Sequence, residues 1–312
     1  MDKQSLLETK TRISQFVHET PVLTSTLLNQ YAGAQLYFKC ENFQKMGAFK
    51  MRGALNAIMQ LSEAEQKRGV VTHSSGNFAQ ALSLAAKNLN VPAYIVMPNN
   101  APKVKKDAVM GYGGHITECE PTTIAREQTA QKLVDAVGAT FIHPSNDMHV
   151  ILGNATAAVE LLDVHPDLDF IICPVGGGGL IAGTALAAHF YGTNCRVIGG
   201  EPKATDDAFR SLQSGKIENN SSTETIADGL RTQLGDINFP IIQQYVEKII
   251  LVEETEIIST LRLIWERLKI VVESSSAVAL AGVLKQKSLF KDKKVGIILS
   301  GGNVDLDTLK FS

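Results

Sequence analysis

Hydrophobic positions along the chain alternate between short apolar runs and segments with helical spacing. The apolar runs predict strands at residues 35–39, 69–73, 93–98, 115–119, 139–143, 170–175, 196–201 and 294–300. Segments with apolar residues three and four positions apart predict helices over residues 50–61, 78–89, 103–112, 122–137 and 149–163. This alternation of strands and helices predicts an α/β fold with parallel, doubly wound sheets.

The regular stretch from residue 69 to residue 146 contains four strand–helix units and predicts a small, mobile domain with its own sheet. The strands on either side of it would form a second sheet, in a large domain built from residues 1–68 and 147–312. Ligands of such folds bind at the carboxyl ends of strands and between domains. We therefore expect the functional site in the cleft between the two domains.

Composition narrows the class of protein. The chain has 312 residues, a net charge of −2 and no long basic stretch, which argues against nucleic-acid binding. No apolar run reaches the roughly 18 residues of a membrane span, and the first residues lack a signal-peptide core. We therefore expect a cytoplasmic protein that does not bind membranes. The four cysteines form no CxxC pair, which predicts reduced thiols and no structural zinc site.

A run of glycines follows the predicted strand 170–175 and precedes a helical pattern: Gly176, Gly177, Gly178 and Gly179. Backbone N–H groups at a strand-to-helix turn bind anions, and glycine lets a ligand approach the backbone closely. The run therefore predicts a phosphate site. The pattern Gly177-x-Gly179-x-x-Ala182, with Glu201 ending the next strand, also fits a dinucleotide-binding turn. An NAD-dependent dehydrogenase is thus an alternative at this point.

Three further segments place polar groups beside predicted strands and helices. NFQKMGAFKMRG puts Lys50 at the start of a helix, where partial desolvation would make it an amine nucleophile. THSSGNFAQ offers groups that either cap helix 78–89 or hold a carboxylate at its N-terminus. LSGGN ends the last strand with Ser300, which either bonds a ring nitrogen or only forms a turn. The dinucleotide interpretation gives these segments no role.

These segments also carry a family resemblance. FQKMGAFKMRGA, SSGNFAQA, PVGGGGLIAG and LSGGNVD occur in the order found in fold-type II pyridoxal-phosphate enzymes. The sequence most resembles the serine racemase and serine/threonine dehydratase (ammonia-lyase) group, over residues 18–306. The resemblance implies two doubly wound domains, as in the tryptophan synthase β subunit. It also implies that pyridoxal 5′-phosphate (PLP) binds in the cleft between them.

The resemblance implies a cofactor site. Lys50 matches the lysine that binds the cofactor covalently and then acts as acid and base at the substrate α-carbon. Phe49 matches a residue beside the pyridine ring, Asn77 the donor to the ring's 3′-oxygen, and Ser300 the hydroxyl beside the ring nitrogen. The glycine run would hold the phosphate, with Leu180 closing that site. A hydroxyl beside the ring nitrogen weakens the electron sink and suits β-elimination.

The resemblance also implies a substrate site. Ser75 matches the serine that lies across the α-carbon from Lys50 in racemases, so that either enantiomer can be deprotonated. The substrate carboxylate would be held by Ser74, Ser75, Gly76, Asn77 and Gln80. Arg126 matches an arginine that approaches the substrate when the small domain closes. Phe78 stands where the family usually has histidine, which makes the wall more apolar and bears on substrate preference.

Three more features follow from the resemblance. EPKATDD resembles a divalent-cation site, with Glu201, the Thr205 carbonyl and Asp207 as ligands suited to Mg²⁺, Ca²⁺ or Mn²⁺. The alternative is two surface acids at a helix start. A homodimer is expected. An ATP site at the dimer interface of eukaryotic serine racemases is matched in part by Lys45, Tyr112, Lys269 and Asn303. Met46 replaces a small hydroxyl residue there, which leaves ATP as an activator an open question.

The predicted reaction is the removal of water from serine or threonine, giving ammonia and a 2-oxo acid. Racemisation of serine by Lys50 and Ser75 is an alternative, because both reactions begin with loss of the α-proton. A third possibility is dehydration of threo-3-hydroxyaspartate, which needs a cation near the side-chain carboxylate. In each case the partner is a small amino-acid substrate.

Overall fold

The computed structural model describes residues 1–305. The strands are β1 (Val22–Leu23), β2 (Gln35–Cys40), β3 (Val70–His73), β4 (Ala93–Pro98), β5 (His115–Cys119), β6 (Thr140–Phe141), β7 (Phe170–Pro174), β8 (Arg196–Pro202), β9 (Val246–Val252) and β10 (Lys294–Leu299). The helices are α1 (Lys3–Ile13), α2 (Thr26–Ala32), α3 (Lys50–Met59), α4 (Glu63–Arg68), α5 (Asn77–Asn88), α6 (Lys103–Gly111), α7 (Thr123–Val137), α8 (Met148–Val164), α9 (Gly179–Tyr191), α10 (Asp207–Ser214), α11 (Phe239–Tyr245), α12 (Glu254–Leu268), α13 (Ser274–Lys285) and α14 (Lys287–Phe290). Residues 306–312, which the sequence analysis assigned to the large domain, lie outside the described part.

The larger sheet has six strands in the order β1-β2-β10-β7-β8-β9. Only β1 is antiparallel to its neighbour; the other pairs are parallel. Successive residues of β7 face opposite layers: Ile171 belongs to the core formed with α8 and α9, and Ile172 to the core formed with α13. Because helices cover both faces, the central strands are continuous apolar runs.

The smaller sheet has four parallel strands in the order β5-β4-β3-β6. Apolar residues of α5 pack on one face, and α7 contributes Ala130 to the core on the other. The α/β class with parallel, doubly wound sheets is therefore confirmed, and all the strands predicted between residues 69 and 146 lie in one sheet. The domain boundaries and the mobility of the small domain stay predictions.

Most of the chain between residues 225 and 290 received no predicted element, although β9, α12 and α13 lie there. Helix α13 (SSSAVALAGVLK) is buried along nearly its whole length. A helix that is buried on all sides has no polar stripe, so its sequence has little helical periodicity. The omission matters because α13 and the residue before it contribute to the site.

Four charged side chains form a buried cluster behind the first turn of α3. Arg52 donates to Glu41 at 2.7 Å through Nε and to Glu160 at 2.6 Å through Nη1. Lys39 donates to Glu160 at 2.6 Å. The four are at most 3% exposed, and their formal charges cancel. The cluster joins β2, α3 and α8 two residues from Lys50.

Within residues 1–305, no helix is both long enough and apolar enough to cross a membrane.

Candidate active site

Lys50 is the first residue of α3, and its amine is enclosed by polar and aromatic groups. Nζ donates to the carbonyl oxygen of Pro144 at 2.7 Å. The ring centroids of Phe49 and Phe78 lie 5.0 and 5.6 Å from it. Burial lowers the pKa of the amine to about 8, and the charge of Glu273 acts in the opposite direction. A substantial neutral fraction near neutral pH makes Lys50 a competent nucleophile.

The segment before Lys50 is held against the loop that follows β10. The Phe49 N–H donates to the carbonyl of Ser300 at 3.0 Å, and Ala48 forms an isolated bridge with Gly301. These bonds bring together Lys50 and Ser300, which the sequence separates by 250 positions. Both residues belong to the predicted cofactor site.

The hydroxyl of Ser300 lies beside a second hydroxyl. Ser300 is 3% exposed, and its Oγ is 3.1 Å from Oγ of Ser276, on α13. The Ser276 Oγ also donates to the carbonyl of Gly301 at 2.7 Å and accepts from its N–H at 2.8 Å. Ser276 therefore orients Ser300. It was missed because α13 was not predicted.

The glycine run forms the turn between β7 and α9. Gly178 has φ 81° and ψ −14°, the left-handed region that favours glycine. A Cβ on Gly177 would lie 2.4 Å from Oγ of Ser145, and one on Gly179 would lie 2.9 Å from the Ser145 backbone. Helix α9 starts at Gly179 and leaves its first N–H groups, including that of Leu180, free of intrahelical partners. The turn therefore offers N–H groups that suit an anion, and its close packing requires glycine.

One peptide segment after β6 contacts both Lys50 and the glycine turn. Pro144 accepts the bond from Lys50, and the next residue, Ser145, lies against Gly177. Asn238 clamps this junction, since its Nδ2 donates to the carbonyls of Ser145 at 3.2 Å and Gly177 at 2.9 Å. The sequence analysis did not identify these residues. Their only local signal is a polar segment, HPSN, after a predicted strand.

His143 begins that segment as a neutral imidazole. Its Nδ1 accepts the N–H groups of Ser145 at 3.1 Å and Asn146 at 2.8 Å, which places the ring proton on Nε2. Burial and then the charges of His73 and Lys50 together lower the pKa of His143 to about 4. Near neutral pH, His143 is therefore a hydrogen-bond donor rather than a cation.

Asn77 is the first residue of α5 and contacts residues outside the small sheet. Its Nδ2 is 3.0 Å from both carboxylate oxygens of Glu273, and its Oδ1 accepts from Asn303 at 2.9 Å. None of the proposed side-chain caps forms, because the N-cap is Gly76, which has no side chain. The capping interpretation of THSSGNFAQ is therefore wrong, since no side chain of this segment caps α5.

The remaining predicted substrate residues lie near the carboxyl end of β3. Ser74 and Ser75 are half-buried, and the Ser74 Oγ accepts the N–H of Gly76 at 3.3 Å. Gln80 and Phe78 are buried on α5, and the Phe78 ring lies beside the Lys50 amine; its effect on substrate preference stays a prediction. No hydrogen bond among residues 1–305 joins Ser75 to Lys50, so the geometry of that pair stays a prediction.

Arg126 lies in the first turns of α7, beside the end of β3. Burial lowers the pKa of His73, the last residue of β3, and the charge of Arg126 contributes to that lowering. The Arg126 Nε is buried and has no hydrogen-bond partner within residues 1–305. An unpaired buried donor of this kind is costly. It therefore fits an anionic group supplied by a ligand.

Glu201 and Asp207 form an acidic pair on β8 and α10. They are 0% and 1% exposed, so the surface-acid alternative is wrong. Burial, and secondly the charge of Asp207, raise the pKa of Glu201 well above its usual value. Burial raises the pKa of Asp207 to about 6. Two buried carboxylates that disfavour each other's charge fit a cation.

The other groups around this pair are backbone and amide groups. Glu201 accepts the N–H groups of Ala208 and Phe209 at 2.9 and 2.8 Å, and Asp207 accepts that of Leu234 at 2.9 Å. Thr205 is fully buried, and its Oγ1 has no partner in the described chain. Residues 1–305 contain no group of three or more His, Cys, Asp or Glu placed to hold a metal. A cation here would therefore need carbonyl and water ligands as well.

The arrangement as a whole fits a cofactor that carries an aldehyde and a phosphate. The enclosed amine of Lys50 suits the aldehyde, the turn at residues 176–179 suits the phosphate, and the hydroxyl pair suits a ring nitrogen. The amine and the turn are joined by Pro144 and Ser145, so both would reach one small molecule. These are the groups that PLP requires.

Comparison with known proteins agrees with this fit. The family described as pyridoxal-phosphate dependent enzyme matches residues 13–301. A serine racemase from Dictyostelium discoideum is 49% identical over 98% of this chain and 96% of its own length. A beta-hydroxyaspartate dehydratase from Paracoccus denitrificans is 46% identical over 99% of this chain and 98% of its length. The solved threonine deaminase from T.th. is 39% identical with a TM-score of 0.93, covering 98% of this chain and 99% of that one. The resemblance inferred from the sequence is confirmed, and the chain belongs to the family of pyridoxal-phosphate dependent enzymes.

Proposed function

We propose that the protein is a PLP-dependent lyase that removes water from serine or threonine and releases ammonia and a 2-oxo acid. The observation that carries this proposal is the enclosed Lys50 amine, joined through Pro144 and Ser145 to an anion-binding glycine turn. The names of the relatives support it, since they comprise a serine racemase, a hydroxyaspartate dehydratase and a threonine deaminase. Serine racemisation in the same site is the first alternative.

Lys50 and the residues around its amine would each have a separate role in the reaction. When bound, PLP supplies an aldehyde that links to amines and a ring that accepts electron density from the α-carbon. Lys50 would hold the aldehyde and, once displaced by the substrate amine, take the α-proton. The carbonyl of Pro144 orients its Nζ at 2.7 Å. Phe49 and Phe78 exclude water from this amine, which helps to keep its pKa low.

Arg126 favours dehydration of threo-3-hydroxyaspartate as the second alternative. Its unpaired Nε offers a charged donor near the loop proposed to bind substrate. A second carboxylate would give that donor a charged acceptor while the α-carboxylate stays in the proposed loop, whereas serine and threonine would offer it only a neutral hydroxyl. The neutral His143 supplies one further donor near Lys50.

A substrate panel tests the proposed reaction directly. Holoenzyme is incubated with L-serine, D-serine, L-threonine and both threo-3-hydroxyaspartates, and pyruvate, 2-oxobutyrate, oxaloacetate and D-serine are measured. Release of pyruvate and 2-oxobutyrate supports the proposal, whereas D-serine or oxaloacetate as the dominant product supports the first or second alternative. If none of these products forms with PLP bound, the proposed function is wrong.

The change Ser75→Ala should separate the two reactions of serine. We expect formation of D-serine from L-serine to fall by about a hundredfold, because one of the two proposed acid–base groups is lost. Elimination from the enantiomer that Lys50 deprotonates should change little. Chiral chromatography and a pyruvate assay on one sample measure both rates. Ser259→Ala, at an exposed position of α12, is the matched control and should keep both reactions; an equal loss of both in Ser75→Ala would contradict the assigned role.

We also propose that a divalent cation binds at Glu201, the Thr205 carbonyl and Asp207. In the folded, cation-free protein the pKa values of Glu201 and Asp207 are both raised. The free energy of unfolding should therefore fall as the pH rises from about 4.5 through these folded-state pKa values. A cation would remove that loss because it stabilises the ionised forms. We expect Mg²⁺ added after EDTA treatment to raise the Tm by about 5 °C at pH 7.5. At pH 5 the increase should be much smaller.

Differential scanning fluorimetry at both pH values measures this effect, with Ca²⁺ and Mn²⁺ as further arms. Glu201→Gln should lose the response, while Glu266→Gln, a charge change on the surface of α12, should keep it. A Tm that does not respond to any of the three cations would refute the site. The homodimer, the cytoplasmic location and the ATP activator stay predictions from the resemblance.

A further inference from the structure

The Asn77 amide is fixed from two sides. It has two N–H donors and one carbonyl acceptor. Nδ2 donates to the carboxylate of Glu273, 3.0 Å from each oxygen, and Oδ1 accepts from Asn303 at 2.9 Å. Exchanging oxygen and nitrogen would set donor against donor at Asn303 and acceptor against acceptor at Glu273. The Asn77 amide therefore has one orientation. One of its two N–H groups donates to Glu273, and the other remains for a further acceptor.

Asn303 is itself held in place. Its Nδ2 also donates to the carbonyl of Met46 at 2.9 Å, in the turn that precedes Lys50. Met46 has a positive φ of 57°, so this carbonyl is presented by an unusual backbone conformation. The orientation of Asn77 is thus connected to the segment that carries Lys50.

Glu273 is a buried carboxylate that contacts Asn77 and whose charge acts on the Lys50 amine. It is 6% exposed and precedes α13, where its N–H donates to the carbonyl of Gly301 at 3.0 Å. Burial raises its pKa to about 7; the Asn77 bond lowers it, Asp228 raises it and Lys105 lowers it. The charged groups that face it are thus Asp228, Lys105 and Lys50. Its own charge raises the pKa of Lys50.

We propose that Glu273 is a positioning residue for the Asn77 amide. With Asn303, it holds that amide so that one N–H is left to donate to the 3′-oxygen of the cofactor. The charge of Glu273 also acts on Lys50, so its replacement gives a second readout that a merely structural role would not change. The inference rests on the cofactor role proposed for Lys50, and it is independent of which amino acid is the substrate.

The pKa values of Glu273 and Lys50 define the pH range in which the charge of Glu273 should affect the reactivity of Lys50. Below pH 6 the Glu273 carboxyl is mostly protonated, so it has no charge to remove and Glu273→Gln should leave Lys50 unchanged. Between pH 7 and pH 8 the carboxylate is increasingly ionised while the amine is still partly protonated. Removing the charge there should lower the Lys50 pKa and increase the neutral, reactive amine about two- to threefold.

The first experiment measures the Lys50 amine without cofactor or turnover. Full-length apoprotein is trace-labelled with acetic anhydride from pH 5.5 to pH 9, and acetylation of the Lys50 peptide is measured by mass spectrometry relative to the exposed Lys103. Glu273→Gln should react about two- to threefold faster than wild type near pH 7 and equally below pH 6. Glu266→Gln, which removes a surface charge, should match wild type throughout. Identical profiles for Glu273→Gln and wild type would refute the charge effect.

The second experiment tests the orientation of Asn77. PLP affinity is measured by fluorescence titration for wild type, Glu273→Ala and Asn303→Ala. We expect both variants to bind PLP about tenfold more weakly, because each loses one of the two bonds that orient Asn77. Asn303→Ala retains the carboxylate and should keep the wild-type acetylation profile, which separates orientation from charge. Wild-type affinity in both variants would refute the positioning role.

A separate measurement distinguishes failure of this inference from failure of the proposed function. Wild-type holoprotein is reduced with borohydride, and the pyridoxyl adduct is located by peptide mass spectrometry. An adduct on a lysine other than Lys50 would overturn the proposed function and, with it, this inference. An adduct on Lys50 with unchanged variants would overturn the inference alone.

Discussion

Replacing Lys50 with alanine is expected to reduce turnover at least about a thousandfold and to abolish the covalent attachment of PLP. The enclosed amine is the proposed attachment point and the proposed base for the α-proton, so one change removes both. Product assays measure the first effect. The visible absorbance of desalted holoprotein, before and after borohydride reduction, measures the second.

A matched control and a rescue show whether the lost amine is the cause. Lys67→Ala removes an exposed lysine from α4 and should retain activity and absorbance. Adding a small primary amine such as ethylamine to Lys50→Ala should restore part of the α-proton removal, since the pocket is otherwise intact. Retention of a borohydride-stable adduct in Lys50→Ala would show that a different lysine holds the cofactor.

Replacing Arg52 with methionine should lower the free energy of unfolding of the apoprotein by about 3–5 kcal/mol. Glu41 and Glu160 would remain buried with only the Lys39 cation beside them. Although burial alone would raise it, the pKa of Glu41 is lowered, chiefly by the charge and bonds of Arg52. Because the pKa of Glu41 is lower in the folded than in the unfolded protein, its ionised form stabilises the fold above pH 4.5. That stabilisation is lost as the pH falls through the folded-state pKa of Glu41. The difference between wild type and Arg52→Met should therefore shrink as the pH falls below about 4.5.

Urea unfolding followed by circular dichroism at several pH values measures this difference. Arg262→Met is the matched control, because Arg262 pairs with Glu266 on the surface with 81% of its side chain exposed. That variant should lie within about 0.5 kcal/mol of wild type. Equal stability for Arg52→Met and Arg262→Met would mean that the buried cluster does not anchor α3 as we describe.

The parts of the site that the sequence predicted are those with a local chemical signature. Four adjacent glycines between a strand and a helix require a special backbone, and Gly178 has the positive φ that this implies. Lys50 was placed at a helix start, and it begins α3. The parallel strands were recognisable because buried β7 and β10 are continuous apolar runs.

The residues that the sequence did not predict act through contacts between distant segments. Glu273 meets Asn77 across 196 positions, and Asn238 meets Gly177 across 61. Neither lies in a motif, and an isolated glutamate or asparagine is most often a solvated side chain. Ser276 was missed for another reason, because the uniformly buried α13 has no amphipathic period to reveal it.

Pro144 and Ser145 are consecutive residues, so this segment sets the distance between the Lys50 amine and the glycine turn. One residue contacts the amine and the next contacts the glycine turn, so a single peptide unit sets the spacing between the two anchors. A residue inserted between them would add about 3.8 Å to that spacing. At this junction the length of the loop would therefore be fixed by the size of the molecule that the proposed amine and phosphate sites must both reach.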